Sequence, residues 1–559
     1  MKHFKSNYWG WLIPLVLCLM GGGLVSVWLK QDANWDLMNY HIYNPWALLH
    51  DRADIDLFAA GIQSYFNPLL DLPYYYFAFV WFSDQPRTVA FLMGIPYGLL
   101  VFLTLHSARL VLADLQIAPR AQLPLALLLV AFGVTGAATF PQVGTTFNEP
   151  QVAALILAGV AVLLSGLPAR PAPLPPVTEG NPCGTGEGSF SCWALWGGIL
   201  FGLAAGLKLT ASIYAPAAVL ALLVAAKSRR RAVATAAVFS LGWALGFGIA
   251  FGWWAFHLYS TMGNPMFPMF ENVFHTHWLG TENWMENRFK PQSLLQALIY
   301  PLYWIDTASV TIAEPVFSDP RFSITLIVFT VLTIALVHSH AGAWFGRTGI
   351  VKPPWIPRTS RFVLAFTASS YVIWLSFFSI LRYAVSIEVL LGLVIGICLI
   401  LYPRFFGSAI SETALIIISF LLLVFVSIQT RYPEWGRAEY SDAVLKVQPV
   451  KLAPDSLVIV LGSPQAYVLP SLVHQNPGAQ FVGIGNFPLN ARKFDLWKKV
   501  RQKIDIFPGT IYAMTRLDAQ QLFGLLPELN LHLDEESCRI FSTNIDPGFN
   551  ICRLSRPGH

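Results

Sequence analysis

Long runs of apolar residues recur along this chain and are separated by shorter polar segments. A run of about 20 apolar residues is long enough to cross a membrane as an α-helix. The pattern therefore predicts an all-α polytopic membrane protein with about eleven transmembrane helices. The predicted spans are 10–29, 87–112, 121–139, 150–167, 193–207, 210–226, 232–257, 322–340, 361–380, 384–402 and 411–429. We interpret a further apolar segment, 294–306, as an interfacial or re-entrant helix.

Composition supports this interpretation and excludes other classes. The chain has 559 residues, of which 55% are hydrophobic and 12% charged, and its mean hydropathy is +0.54. Soluble domains carry about 25% charged residues, so this is not a soluble protein with one anchor. The net charge of +5 is spread along the chain, and no basic patch interleaved with aromatic residues points to nucleic acid. Because no small-residue cleavage site follows the first span, we expect a retained helix.

Basic residues in the short loops predict the orientation. The run KSRRR at 227–231 is the strongest signal, and it places the N-terminus in the cytoplasm. An odd number of spans then places the C-terminus outside. We therefore divide the chain into a transmembrane domain, 1–430, and an extracytoplasmic domain, 431–559. Two large extracytoplasmic loops, 30–86 and 258–321, belong to the transmembrane domain.

The C-terminal region has the pattern of a small α/β domain. The segments SLVIVLG, AQFVGIG, GTIYAMT and FNICRL predict strands, and DAQQLFGLLPELN predicts a helix. Cys538 and Cys552 lie in this extracytoplasmic region, where a disulfide forms and persists. We expect them to pair, whereas Cys183 and Cys192 lie in a predicted cytoplasmic loop and should stay reduced.

A dense polar cluster, QDANWDLMNYHIY at 31–43, follows the first span. Carboxylates beside a membrane are costly unless they have a function. In a continuous helix over 32–47, Asp32 and Asp36 would share one face. A carboxylate against a low-dielectric wall can act as a general base, although both residues could also be solvated ends of a membrane helix. The density of the cluster favours a functional role for Asp36, with Asp32 as the alternate.

Other polar residues of the first loop are candidates for lining a substrate cavity. They are Asn39, Tyr40, His41, Tyr43, Gln63 and Asn67. Asn67 precedes a proline, so a turn alone could also explain it. The triplet Asp54-Ile55-Asp56 could hold a divalent metal, but no nucleotide-binding domain surrounds it. A role in ordering the loop is the favoured interpretation.

Three more charged residues are predicted at the extracytoplasmic ends of spans. Glu149 begins the fourth span, where an acidic residue also stabilises a helix N-terminus. Lys208 in GLAAGLKLT is a lone cation that could bind phosphate or could extend to the interface. Arg382 in RYAVSIE offers a bidentate fork for phosphate. Two cations from distant segments on the same side as the carboxylates strengthen the case for a phosphate site.

These features resemble the GT-C glycosyltransferases, in particular their RgtA/B/C/D-like and protein mannosyltransferase-like members. The likeness rests on a first outside loop with Asp36 followed by Tyr40-His41, and on GLAAGLKLT and RYAVSIE. It covers about residues 1–430. The order of these motifs and their common side of the membrane carry the resemblance more than any single motif does.

The resemblance implies a glycosyltransferase, a hexosyl- or pentosyltransferase, of the bacterial inner membrane. Its donor would be a sugar on a polyprenyl phosphate, and its acceptor an extracytoplasmic glycan, lipid or protein. Asp36 would be the base, Glu149 a second acidic residue, and Lys208 and Arg382 the phosphate contacts. Direct displacement would invert the anomeric carbon. Family members often carry two adjacent acidic residues in this loop, whereas Asp32 and Asp36 are four apart. The identity of the base and a requirement for a divalent cation therefore stay open.

Three other functions compete with this interpretation. One is a non-catalytic assembly or receptor subunit that binds through the α/β tail, in which Asp36 can be replaced without loss. A transporter or flippase for a lipid-linked substrate predicts ionisable residues near the bilayer midplane and paired broken helices. Here the charged candidates gather at one interface. A polysaccharide polymerase or ligase with a diphosphate-linked donor would need a basic outside loop, and residues 258–321 are not notably basic.

Overall fold

A computed structural model gives the fold, and it describes residues 4–167, 189–226, 228–280, 286–305, 311–344, 355–484, 492–546 and 548–557. The helices are α1 (Phe4–Trp28), α2 (Tyr43–Leu49), α3 (Leu72–Tyr75), α4 (Pro86–Asp114), α5 (Pro119–Val134), α6 (Glu149–Gly166), α7 (Ser189–Leu207), α8 (Tyr214–Ala225), α9 (Arg229–Met262), α10 (Glu271–Phe274), α11 (Leu294–Ile299), α12 (Arg321–Trp344), α13 (Arg358–Phe377), α14 (Val385–Leu401), α15 (Glu412–Gln429), α16 (Leu469–Gln475) and α17 (Asp495–Ile506). The strands are β1 (Gln31–Asp32), β2 (Arg437–Ala438), β3 (Leu457–Val460), β4 (Gln480–Gly483), β5 (Ile511–Arg516), β6 (His532–Leu533), β7 (Arg539–Phe541) and β8 (Phe549–Ser555).

The apolar helices match the predicted spans. Among the described residues, eight helices are long and apolar enough to cross a membrane: α1, α4, α6, α9, α12, α13, α14 and α15. Helices α5, α7 and α8 are shorter but also apolar. Each of these helices coincides with one of the predicted runs, which confirms the all-α polytopic fold class. The segment around α14 is almost entirely buried and forms the centre of the bundle.

Helices α7 and α9 pack closely through glycines. A Cβ atom at Gly198 would lie 2.1 Å from the carbonyl oxygen of Phe239, and one at Gly246 would lie 2.2 Å from that of Ile199. Small residues at helix interfaces allow the two backbones to approach closely within a membrane. This contact holds the end of α7, and therefore Lys208, against the bundle.

The short apolar segment Leu294–Ile305 differs from the spans. It combines α11 with a 3₁₀ turn and is too short to cross a bilayer. Leu294, Leu295 and Leu298 are exposed, whereas Tyr300 and Trp304 are buried in the bundle. An exposed apolar face on a short helix suits a position in the membrane interface. The interfacial placement stays a prediction.

The C-terminal sheet has the strand order β4-β3-β5-β8-β6, with β7 also paired to β8. Strand β3 is parallel to both β4 and β5, whereas β8 is antiparallel to β5. Helix α16 lies between β3 and β4 in the chain, and α17 lies between β4 and β5. The region is therefore a small α/β unit, as predicted. The predicted helix near 518–530 is instead 3₁₀-type, spanning Leu517–Leu529.

Both faces of this sheet are covered. On one face, Val458 belongs to a buried cluster that includes α16 and Trp46 of α2 in the first loop. On the other face, Ile459 belongs to a cluster that includes α17 and Trp254 of α9. A parallel sheet needs cover on both faces, and the first loop and a membrane helix supply part of it here. The C-terminal unit therefore packs directly on the transmembrane part.

The cysteines give one confirmed prediction and one error. A disulfide joins Cys538 to Cys552, as expected. Cys192 is also disulfide-bonded, so the expectation that it stays reduced is wrong. Cys183 lies outside the described residues. The prediction for Cys192 rested only on the reducing conditions of the cytoplasm. Those conditions do not indicate which sulfur atoms lie close enough to bond.

Asp56 fastens the first loop to the C-terminal sheet. Its carboxylate accepts two hydrogen bonds from Arg52, at 2.7 and 3.0 Å, and one from the Tyr43 hydroxyl at 3.0 Å. It also accepts from the backbone N–H of Phe481 in β4, at 2.9 Å, while Arg52 donates to the Ala479 carbonyl at 2.7 Å. Burial raises the pKa of Asp56, against the opposing effect of Arg52. These contacts support the loop-ordering interpretation for Asp56, whereas Asp54 is exposed.

We expect Asp56→Ala to destabilise the protein, because it leaves the buried Arg52 guanidinium without a counter-charge. Losing one partner of a buried pair costs about 3–5 kcal/mol. The matched control is Asp54→Ala, since Asp54 is exposed two residues away. The check is the apparent melting temperature of the detergent-purified protein, followed by tryptophan fluorescence. Equal melting temperatures for the two variants would contradict this account of Asp56.

Candidate active site

The polar cluster after α1 does not form one continuous α-helix. Gln31 and Asp32 form β1, which pairs antiparallel with β2 of the C-terminal region. The side chain of Asn34 then accepts a hydrogen bond from the backbone N–H of Leu37 at 2.8 Å, and a π-helix runs over Leu37–His41. Asp32 and Asp36 therefore do not share a helix face, and their carboxylates enter different surroundings.

Asp36 forms an ion pair with Arg382. The distance from the Asp36 Oδ2 atom to the Arg382 Nη1 atom is 2.9 Å. The Tyr40 hydroxyl donates a longer hydrogen bond of 3.4 Å to the same carboxylate oxygen. Asp36 is 7% exposed, so both charges lie in a largely water-free environment, in which each needs the other.

Lys208 and Glu149 form a second ion pair beside the first. The Lys208 ammonium also donates to the backbone carbonyl of Phe147 at 2.7 Å. Lys208 follows the last residue of α7, and Glu149 is the first residue of α6. The pair therefore joins two helix ends at the same end of the bundle.

The ring of Tyr383 lies against the cations of both ion pairs. The Arg382 guanidinium lies 5.0 Å from the ring centre of Phe147 and 5.3 Å from that of Tyr383. The Lys208 ammonium lies 5.6 Å from the same Tyr383 ring. Cations over aromatic faces are attracted by the ring quadrupole. The structure thus brings Asp36, Glu149, Lys208 and Arg382 into one site, although they come from four distant parts of the sequence.

Asp32 has a different environment. Its carboxylate accepts from the Thr146 backbone N–H at 2.7 Å and from the Thr146 hydroxyl at 2.8 Å. The amide of Asn34 donates to both of its oxygens, at 2.7 and 2.9 Å. Asp32 is therefore saturated by donors and fixes the segment that leads to Glu149.

The other end of that segment is held by Glu388 of α14. Its carboxylate accepts from the backbone N–H groups of Ala138 and Thr139, at 3.0 and 2.8 Å, and from the Thr139 hydroxyl at 2.6 Å. This explains why α5 ends at Val134 rather than at the predicted 139. Residues 135–148 are a buried connection pinned by Asp32 and Glu388, and they carry Phe147 to the ion pairs.

His41 and Asp71 form a buried pair beside this site. Their side chains meet at 2.7 Å, and Asn148 donates to the same Asp71 oxygen at 2.8 Å. Burial raises the pKa of Asp71, and the nearby His41 and Lys208 oppose that effect. Burial likewise raises the pKa of Tyr40 well above its usual value, and the charges of Asp36 and Asp71 add to this. Tyr40 is therefore a neutral hydrogen-bond donor at neutral pH.

The other residues that were predicted to line a substrate cavity form hydrogen bonds within the protein. Asn39 donates to the Ala60 carbonyl at 3.2 Å, and Asn67 donates to the Gly206 and Ala250 carbonyls, each at 3.0 Å. The backbone carbonyl of Gln63 accepts from Asn44 at 2.8 Å. Together with Tyr43, which donates to Asp56, these residues shape the first loop, and their part in a cavity stays a prediction.

Metal ligands are not gathered at this site. In the part of the chain that the structure describes, no group of three or more His, Cys, Asp or Glu side chains is placed to hold a metal ion. The charged groups that meet here are two carboxylates and two cations. Such a site can bind an anion through Lys208 and Arg382, and its carboxylates can accept protons.

One solved structure resembles the chain over nearly its whole length. The crystal structure of ArnT from Cupriavidus metallidurans bound to undecaprenyl phosphate aligns with a TM-score of 0.50 and 13% identity, and the match covers 97% of this chain and 98% of that one. This chain has the GT-C fold. The resemblance read from the sequence is thereby confirmed at the level of the fold.

A second solved structure is less similar to the chain. The apo crystal structure of the Archaeoglobus fulgidus oligosaccharyltransferase is similar with a TM-score of 0.45 and 11% identity, and the match covers 92% of this chain and 70% of that one. No protein-family model and no curated protein matches the chain.

Sequence reasoning missed the aromatic residues of this site. Phe147 and Tyr383 carry no signal, because each is an aromatic residue in an aromatic-rich membrane protein. Glu388 and Asp71 were detectable as acidic residues in apolar surroundings. Their partners could not be read from the sequence, since Thr139 and Glu388 are 249 positions apart.

We expect Asp32→Asn to lower the stability of the protein. Both carboxylate oxygens of Asp32 accept hydrogen bonds, and asparagine would replace one of them with an NH₂ group, so that a donor would face a donor. An unsatisfied buried polar group costs about 1–3 kcal/mol. Thermal unfolding in detergent is the measurement, with Asp442→Asn as the control, since that carboxylate is exposed and pairs only with Lys446 among the described contacts. If Asp32→Asn unfolds like the wild type, this structural account of Asp32 is wrong.

Proposed function

We propose that this protein is an integral membrane glycosyltransferase that moves a sugar from a polyprenyl-phosphate donor to an extracytoplasmic glycan, lipid or protein. One observation carries the proposal: two buried ion pairs, Asp36–Arg382 and Glu149–Lys208, share one site in a chain with the GT-C fold. The similar ArnT crystal structure has undecaprenyl phosphate bound. The two cations here offer the charge that such a phosphate needs.

In this proposal the donor phosphate binds Lys208 and Arg382. A phosphate competes with the carboxylates for both cations, because charge-assisted hydrogen bonds from Arg or Lys are strong for either anion. Donor binding therefore loosens Asp36 from Arg382 and leaves it free to accept a proton. The apolar helices surround the polyprenyl tail.

The reaction is a direct displacement. The hydroxyl oxygen of the acceptor attacks the anomeric carbon of the donor sugar, and Asp36 takes the hydroxyl proton. The bond between the anomeric carbon and the phosphate oxygen breaks, and polyprenyl phosphate leaves with the electron pair. Lys208 and Arg382 stabilise the phosphate as its charge develops. The displacement inverts the anomeric carbon, and the transferred sugar is a hexose or a pentose.

The proposed location is the bacterial inner membrane. The sequence of apolar helices places the ends of α1, α7 and α15 on one side, where the C-terminal sheet also packs on the first loop. The basic first turn of α9, which begins at Arg229, lies at the opposite end of the bundle. With basic residues in the cytoplasm, the site and the C-terminal domain, 431–559, face the periplasm.

We expect Asp36→Asn to lower transfer by at least about 100-fold, because an amide cannot take the acceptor proton. The variant should still bind undecaprenyl phosphate, whereas Lys208→Met should bind it more weakly. Binding is measured as a thermal shift in nanodiscs, with undecaprenol as the ligand control. Transfer is measured by mass spectrometry of cell-envelope glycans and lipids in cells that carry only the variant gene.

The matched control for Lys208 is Lys30→Met, because Lys30 is exposed and pairs with Glu439 at the surface. Full transfer by Asp36→Asn would show that Asp36 is not the base. Wild-type binding of undecaprenyl phosphate by Lys208→Met would remove Lys208 from the phosphate site.

A further inference from the structure

A cavity lies where the first loop meets the C-terminal sheet, and the reaction described above does not use it. Its volume is about 350 Å³, and it opens to solvent. Trp35 and Met38 line it from the first loop, and Ser463, Arg516 and Asp518 line it from the sheet. A cavity of this size matches the range of small-molecule pockets in proteins, about 300–1,000 Å³.

The position of this cavity follows from the topology of the sheet. Strand β3 has β4 on one side and β5 on the other, and both neighbours are parallel to it. The chain passes from β3 to β4 and then returns across β3 to β5, so the strand order reverses between β3 and β5. Ligands of open α/β sheets bind outside the carboxyl ends of the strands at such a reversal.

The lining residues sit at that point. Ser463 follows the carboxyl end of β3, and Arg516 and Asp518 lie at the carboxyl end of β5. The segments that follow β3 and β5 cover opposite faces of the sheet, because α16 packs with Val458, whereas Leu526 of the 3₁₀ segment after β5 packs with Ile459. The crevice between their connections is therefore open, and Trp35 lies across it.

The charges of the cavity disfavour anionic ligands. Arg516 pairs with Asp518, at 3.1 Å, and also with Asp546. One guanidinium thus faces two carboxylates, and no net positive charge is left for a phosphate or a uronate. The Asp518 side chain is 69% exposed, so its oxygens can accept hydrogen bonds from a ligand. Arg516 lowers the pKa of Asp518, which keeps that carboxylate ionised and an acceptor.

Trp35 provides a flat apolar surface in the cavity that Asp518 also lines. Its indole is 41% exposed in a segment where its neighbours Asn34 and Asp36 are buried. A flat aromatic surface beside a hydrogen-bond acceptor fits a ligand with one apolar face and a rim of hydroxyl groups. A neutral saccharide has this form, since its C–H groups can stack on the indole while its hydroxyls donate to Asp518.

Trp35 also connects the cavity to the reaction. It directly precedes Asp36, and consecutive Cα atoms are about 3.8 Å apart. Successive helical side chains diverge, so Trp35 faces the sheet while Asp36 faces Arg382. We propose that this cavity binds a neutral sugar unit of the acceptor and thereby delivers the acceptor to the base. The proposal rests on the glycosyltransferase function and gives the C-terminal sheet a role in acceptor recognition.

The test uses the full chain in nanodiscs on an array of neutral, uronate-containing and phosphorylated oligosaccharides. We expect the wild type to retain neutral oligosaccharides in preference to the charged ones. Trp35→Ala and Asp518→Ala should each weaken that binding by about tenfold or more. The controls are Trp81→Ala, an exposed tryptophan elsewhere in the first loop, and Asp505→Ala, an exposed acid of α17.

Saccharide retention is measured without a sugar donor, so it can fail while the wild type still transfers a sugar, and the two proposals are thereby distinguished. Absence of neutral-saccharide binding by the wild type, or wild-type binding by Asp518→Ala, would overturn the cavity assignment alone. Preferential binding of phosphorylated saccharides would overturn it as well. Asp518 is exposed, so its replacement tests the cavity without disturbing the fold even if Trp35→Ala does.

Discussion

The ion pair between Asp36 and Arg382 is the contact on which the arrangement of the site depends. It links the segment after α1 to the start of α14, two regions 346 positions apart in sequence. Both charges are largely buried, and a buried charge without a partner is strongly destabilising. The pair therefore keeps the first loop against the bundle and holds a carboxylate and a cation together at the end of the membrane helices. An incoming phosphate can compete for that cation.

The first loop is enclosed from two sides, which explains how a polar segment stays ordered beside a membrane. The bundle holds it through Arg382 and through Thr146, which binds Asp32. The C-terminal sheet holds it through Asp56 and the backbone of β4. The sheet is thus part of the framework of the site, and the cavity beside Trp35 is a direct consequence of that packing.

Much of this architecture could be predicted from the sequence, because hydrophobic length and basic loops report directly on the bilayer. The residues that gather at the site were also predictable, since Asp36, Glu149, Lys208 and Arg382 all lie at helix ends on one side. The sequence did not indicate which carboxylate pairs with which cation, because contacts between distant segments leave no local sequence pattern. A helix over 32–47 would begin too early: Asp32 pairs in a strand with β2, and the helical segment begins at Trp35, with a π-helix over Leu37–His41. That rearrangement gives Asp32 a structural position.

The most direct test is an experimental structure of the full chain with undecaprenyl phosphate bound. We predict that the phosphate lies within about 3 Å of the Lys208 ammonium or the Arg382 guanidinium, with the Asp36 carboxylate beside it. A phosphate at the opposite end of the bundle, near Arg358 or Arg404, with both ion pairs intact, would contradict the account.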